Sequence, residues 1–242
     1  AALVLIGLWI RKDIDETPEF KKVKSSGKVA KAPLRETLTH HWREVIIAAG
    51  LKVVETAPFY IFSTFVVSYA TTTLTYQKSQ VLEAVTLGAL VSTVMIPLMG
   101  LLSDKIGRQR MYAISVVLLG LFIVPWFLLL NTGTTWGITL ATVITFGILW
   151  SPITAVLGTL CSEIFSANVR YTGITLGYQI GAALAGGTAP LIATGLLAKY
   201  NGDWVPVAWY LATTVAISLT AIFFASRRKN PAASVNAQTS QI

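Results

Sequence analysis

The sequence predicts an all-α integral membrane bundle of six hydrophobic helices, and three observations predict it. Of the 242 residues, 54 % are apolar and only 12 % are charged, about half the charge an ordinary soluble domain carries. The charges fall in short clusters, and the stretches between them reach the roughly 20 apolar residues a helix needs to cross a bilayer. Basic residues also alternate between successive loops. Segment 11–43, the loop Asp104–Arg110, Arg170 and the tail hold sixteen of the nineteen, whereas the intervening loops hold Lys78 and Lys199. Positive charge is retained on the cytoplasmic side, so linker and C-terminus are expected in the cytoplasm of a multi-pass protein of the cell (inner) membrane.

The elements follow in order. Residues 1–10 are apolar but lack an initiator Met, a basic n-region and a small-residue cleavage site. They read as the end of a preceding transmembrane helix, not as a signal peptide, and the natural protein is expected to begin earlier. Residues 11–43 read as a solvated cytoplasmic linker, with Lys21, Lys22, Lys24, Lys28 and Lys31 around a Ser-Ser-Gly turn and with His40 and His41 solvated, not metal-bound. Complete helices are expected over roughly 44–71, 80–102, 111–130, 136–161, 172–198 and 204–226, so the bundle fills 44–226 and a cytoplasmic tail fills 227–242. Trp136, Trp204, Trp209, Tyr76 and Tyr200 fall near the non-cytoplasmic helix ends, where amphipathic rings prefer the headgroup zone.

Several functions are disfavoured by composition. The single cysteine, Cys161, forbids a disulfide framework within one chain and any paired-cysteine metal motif, and no metal or cofactor is expected. The net charge of +8 sits where anionic inner-leaflet lipid would meet it, so the bilayer, and no nucleic acid, is the expected partner. No nucleophile elbow, metal spacing or phosphate-binding glycine loop appears, and the acidic residues are too scattered for a general acid/base pair, so no catalytic residue is assigned. A channel would show a polar filter segment, and none stands out from the apolar spans.

Two turns carry the sharpest local pattern. In Gly100-Leu-Leu-Ser-Asp104-Lys-Ile-Gly107-Arg108-Gln-Arg110, Gly107 permits a reversal that a side chain would resist, and Arg108 and Arg110 suit the inner headgroups. Asp104 sits at a helix C-terminus, where the macrodipole disfavours an anion, so it calls for a cation or a helix N-terminus nearby. In the second turn Glu163 closes one helix and Arg170 opens the next, again at the unfavourable ends. A mutual or cross-loop ion pair would relieve both, either as static bracing or as a gate contact made in one conformation only.

Inside the first complete helix lies Leu51-Lys52-Val-Val-Glu55-Thr-Ala-Pro-Phe-Tyr60. An isolated charge at mid-membrane costs about 2.5–3.5 kcal/mol on insertion scales, so such residues pair or function. Lys52 and Glu55, three apart on one face, neutralise each other in the structural reading. In the functional reading, which we adopt, Glu55 exchanges the coupled proton while Lys52 faces a substrate carboxylate, with Tyr60 two turns further along. Pro58 is expected to break the helix there and expose backbone polar groups. In the penultimate span Gly173, Gly177, Gly181, Ala185 and Ala189 recur every fourth residue and form a close-packing stripe. Gln179 lies off that stripe and suits an interhelical hydrogen bond or a substrate contact. Trp150-Ser-Pro152 reads as a kink.

The two turns carry a resemblance. The first matches the G-x-x-x-D-[RK]-x-G-R-x-[RK] loop of the major facilitator superfamily, in the copy between helices eight and nine. The second, running on through Tyr171-Thr-Gly-Ile-Thr-Leu-Gly-Tyr178-Gln179 and Gly186-Gly187-Thr-Ala-Pro190, resembles the metabolite:proton symporter branch, nearest to its shikimate-permease-like members. Glu16-Thr-Pro-Glu-Phe20 is similar to the segment that follows helix six in that branch, whose members also pair a basic residue with a Glu three positions later at Lys52 and Glu55. Gln109 departs from the pattern, where a third basic residue is frequent. The resemblance implies helices seven to twelve of that fold, built as two inverted three-helix repeats, with an N-terminal six-helix half as partner. It further implies secondary active transport, with proton-coupled symport of a small organic acid or related metabolite by alternating access. An amino acid or betaine symporter of the same fold is the alternative, and a non-transporting structural or channel protein a further one.

Overall fold

A computed structural model describes residues 33–227, all of whose regular structure is helical. The expected stub over 1–10, the linker up to residue 32 and the tail from 228 lie outside the described residues. Among the described residues six helices are long and apolar enough to span a membrane: Trp42–Thr72, Lys78–Ile106, Arg108–Leu130, Thr135–Ile164, Arg170–Lys199 and Val205–Ser226. They are called here the first to the sixth span. The first five extend one to four residues beyond the expected apolar run at one or both ends, where polar residues carry the helix into the headgroup zone, and the sixth begins one residue inside it. The six helices form the half-bundle that the sequence predicts.

The last part of the linker differs from expectation. Pro33–His40 is a two-turn helix, not a solvated loop. Glu36 sits in its first turn, where the macrodipole favours an anion, and its carboxylate accepts from Asn168 Nδ2 at 3.0 Å. Asn168 belongs to the turn before the fifth span, so the linker helix is fastened to the bundle.

Packing is set by which helices meet. The first span packs against the fifth and sixth, the fourth against the second and third, and the third against the sixth. Exchanging spans one, two and three for four, five and six maps the first four of these pairs onto one another and the third–sixth pair onto itself. Three antiparallel crossings per unit make the fourth span run opposite to the first, so the two units are related as inverted repeats.

Both repeats open on a helix with the same irregularity. The first span passes through Pro58 without breaking, contrary to expectation, and widens to a π-turn at Ile61–Phe65. Pro58 withholds the N–H that the Val54 carbonyl would accept, and the wider turn re-engages the chain, with Ile61 N–H reaching Ala57 O and Pro58 O. The fourth span carries a π-turn at Val143–Leu149 just before Ser151-Pro152, so the kink expected there takes this form. Such π-turns frequently accompany functional positions in helices. The two π-turns touch each other.

The glycine stripe on the fifth span lies against the first. A Cβ at Gly177 would come within 2.6 Å of Ala48 Cβ, and one at Gly181 within 2.5 Å of Ala49 O and 2.8 Å of Lys52 Cβ. Gly173 stands against the Phe165 ring and Ala185 is buried further along the same face. In lipid this close approach replaces a hydrophobic driving force. Gly181→Ala is therefore expected to lower the unfolding free energy by about 1–3 kcal/mol, the usual cost of overpacking, read as a lower thermal midpoint in detergent. An unchanged midpoint would show that the two helices are not in this contact.

Candidate functional site

The turn Gly50–Glu55 of the first span is held by side chains from three other helices. Ser218 Oγ, on the sixth span, accepts from Val54 N–H at 3.1 Å and donates to Gly50 O at 2.6 Å. It thus bridges donor and acceptor of one helical turn. Tyr112, on the third span, donates from its hydroxyl to Leu51 O at 2.6 Å. Trp150, on the fourth, donates Nε1–H to Glu55 O at 2.7 Å. A span interrupted by proline needs such partners, since no water reaches its carbonyls in the hydrocarbon region.

On this turn Lys52 and Glu55 form an ion pair, with side chains 17 % and 13 % exposed. Neither side chain is fully buried. The two partners are not equally satisfied. Glu55 Oε2 also accepts from Thr56 Oγ1 at 2.9 Å, and Oε1 from Thr154 Oγ1 at 3.4 Å. Lys52 Nζ lies 4.9 Å from the centroid of the Tyr178 ring, a cation–π contact, and among the described residues it makes no hydrogen bond besides that to Glu55. An ammonium has three donors, so two remain for an anion. The Tyr178 hydroxyl, beside Gly158, is buried and has no partner among the described residues. An orphaned buried hydroxyl is a group that a bound solute or water satisfies.

Tyr60 and Gln179, also predicted for this site, are not in contact with the pair. Tyr60 is 37 % exposed and meets Phe59 edge-on at 5.4 Å, two turns along the same helix. Gln179 is exposed and makes no hydrogen bond to the described residues, so the interhelical bond considered for it is not formed. Phe59, Phe146 and Trp150 form a triangle of rings with centroids 5.3–5.6 Å apart between the pair and Tyr60. Thr154, Tyr178 and the aromatic triangle were not predicted as site residues. Thr154 had a signal in its position, one turn from Trp150 inside an apolar span, but only the fold puts it opposite Glu55.

A second constellation lies where the second and fourth spans end. Gly107, at φ +96°, is the single residue between the second and third spans, in the left-handed region that favours glycine. The reversal brings Arg108 back over the end of the second span, where Nη2 donates to Asp104 Oδ1 at 3.2 Å and Nη1 to Glu163 Oε1 at 2.6 Å. Asp104 and Glu163 both stand at helix C-termini and Arg108 at an N-terminus, so all three oppose their helix dipoles. One guanidinium between two carboxylates offsets all three. Glu163 is thus paired across loops with Arg108 and not with Arg170, whose Nε–H reaches Phe165 O at 3.5 Å. The reason is reach, because Arg170 starts the fifth span after a five-residue turn while Arg108 follows the tight Gly107 reversal. Arg110 is exposed and lines a cleft of about 480 Å³ together with Asp104, Gly107, Arg108 and Glu163. Gly100 lies one turn before Asp104 with open space beside it.

The chain is 29 % identical over 218 residues to the shikimate transporter of Escherichia coli (strain K12), covering 89 % of this chain and 50 % of that protein. It is 30 % identical over 230 residues to the inner membrane metabolite transport protein YhjE of the same organism, covering 92 % and 51 %. To the glycine betaine/proline/ectoine/pipecolic acid transporter OusA of Dickeya dadantii (strain 3937) it is 26 % identical over 244 residues, covering 95 % and 47 %. The chain therefore spans about half the length of the curated relatives it matches. No solved structure matches it. The profile of the Major Facilitator Superfamily matches residues 1–186 and again 54–241, and with a six-helix bundle of two inverted repeats beneath those matches, the chain belongs to the Major Facilitator Superfamily, a family of membrane transporters and not of enzymes.

Proposed function

We propose that the chain supplies one wall of the central cavity of a secondary active transporter, with a further six-helix half as the other wall, and that it couples uptake of a small organic acid to a proton. The observation that carries this reading is the Lys52–Glu55 pair inside the first span, in which the carboxylate has three partners and the ammonium keeps donors to spare. A substrate carboxylate entering the cavity competes with Glu55 for Lys52. Once Lys52 turns to the substrate, Glu55 loses its counter-charge and takes up the coupled proton in its place. Substrate anion, ammonium and protonated Glu55 then sum to no excess charge beyond that of the empty pair, and the loaded cavity can cross the bilayer midplane. The Tyr178 hydroxyl and Gln179 supply further polar contacts to the substrate, and Tyr60 closes the apolar end.

A second reading has its own observation. The triangle of Phe59, Phe146 and Trp150 beside Glu55 suits a quaternary or secondary ammonium, which aromatic faces attract, and would direct the site to a betaine or an imino acid. OusA, by its name, transports such solutes.

We further propose that the Asp104–Arg108–Glu163 network is a gate on the cytoplasmic side, made in one conformation of the carrier and released in the other. Positive charge at this end sets the orientation. The network joins the two inverted repeats, since Asp104 and Arg108 belong to the first and Glu163 to the second, so a shift between repeats breaks it.

In proteoliposomes with an imposed proton gradient and a panel of organic acids and zwitterions, Glu55→Gln should abolish gradient-driven accumulation while leaving substrate exchange in place. Lys52→Ala should weaken organic-acid binding by about tenfold or more, the scale of a lost charge-assisted hydrogen bond. Accumulation unchanged in Glu55→Gln would reduce the pair to buried structure. For the gate, Asp104→Asn should lower the transport rate with little change in substrate affinity, and an unaltered rate would leave static bracing as the role of that loop.

A further inference from the structure

An apolar groove runs down the outside of the bundle between the first, fifth and sixth spans. Its volume is about 410 Å³, and its walls include Ile46, Ala49, Val53, Leu184, Ile192 and Ile217. A smaller cleft lined by Trp42, Arg43, Ile46 and Phe224 continues it toward the basic end, sharing Ile46. From Arg43 to Val53 a helix rises about 15 Å, half the hydrocarbon thickness of a bilayer. The groove is therefore as deep as one leaflet.

Cations stand at its basic end: Arg43 lines the adjoining cleft, and Arg227 lies one turn beyond Phe224, which lines the same cleft. Arg43 starts the first span and Arg227 follows the sixth, so both stand at the same membrane face, and both are exposed. Arg43 lies over the Trp42 ring at 5.3 Å and Arg227 over the Phe223 ring at 4.1 Å. Neither has a carboxylate within ion-pair reach among the described residues. Glu44, the nearest acid in sequence, faces His41 at 3.9 Å. Two guanidiniums held by rings above a one-leaflet apolar groove match a ligand with an anionic head and a long hydrocarbon chain.

We propose that this groove holds one acyl chain of an anionic phospholipid whose phosphate headgroup is bound by Arg43 and Arg227. The rings fix the two cations at the headgroup level, where aromatic side chains prefer to lie, and the groove fixes the chain. This site is separate from the cavity pair, since it lies on the opposite face of the fifth span from Gln179 and includes none of the residues assigned to solute or proton.

The test is native mass spectrometry on the full-length carrier, delipidated in detergent and then titrated with phosphatidylglycerol or with phosphatidylcholine of the same acyl chains. One phosphatidylglycerol should be retained in preference to phosphatidylcholine. Arg43→Gln with Arg227→Gln should weaken its apparent affinity by roughly thirtyfold, the effect of two basic residues near a charged surface, while Lys105→Gln, which removes a charge from the same face outside the groove, should not. Thr213→Trp, placed at an exposed position on the groove wall, should reduce retention of either lipid by blocking the chain with both arginines intact. Equal retention of the two lipids, or wild-type affinity in the double arginine variant or in Thr213→Trp, would overturn the proposal. So would a mass for two protein copies with no lipid, which assigns the groove to protein.

Discussion

A charged side chain in the hydrocarbon region costs about 2.5–3.5 kcal/mol on insertion scales, and the first span carries two within one turn, Lys52 and Glu55. Each is tolerable because of the other, and the pair is tolerable because of its surroundings. Thr56 and Thr154 complete the coordination of the carboxylate, the Tyr178 ring lies beneath the ammonium, and Ser218, Tyr112 and Trp150 hold the backbone of the same turn. Spans three, four, five and six all converge on this segment. Their glycines and small residues are placed so that they can reach it, as Gly181 does by lying against Ala49 and Lys52.

The inverted repeat gives the convergence its form. Under the exchange of the two three-helix units, the first span corresponds to the fourth, and these are the two that carry proline and a π-turn. They meet at the middle of the bundle, where Trp150 bonds to Glu55 O and Phe59 packs on Phe146. The charged network at the other level is asymmetric, because Arg108 of one repeat holds the carboxylates of both.

The spans were legible because long apolar runs have few alternatives in a bilayer, and so were the Gly107 reversal and the glycine stripe, whose four-residue period is visible by eye. What was not legible depended on which helices meet. Nothing local joins Thr154 or Tyr178 to Glu55, roughly a hundred residues away, and the sequence left open whether Glu163 pairs with Arg170 or across the loops, where the fold supplies Arg108. Pro58 was misread for a related reason. A proline in isolation breaks a helix, but here a wider turn and tertiary donors such as Ser218 and Trp150 let the span continue. Gln179 suited an interhelical hydrogen bond or a substrate contact, and only the packing of the fifth span shows that it is exposed and that the interhelical bond is not made.

A static pair and a coupling pair differ in what exchanging the two residues does. Lys52→Glu combined with Glu55→Lys keeps one positive and one negative side chain three residues apart, so the charge balance of the span is preserved. The carboxylate, however, loses Thr56 and Thr154, and the ammonium loses Tyr178. This double variant of the full-length carrier is expected to insert and fold, with a lower melting temperature than wild type, but to fail to accumulate substrate under a proton gradient in proteoliposomes. Accumulation at the wild-type rate would contradict the coupling role, because the pair would then serve only to neutralise charge within the membrane.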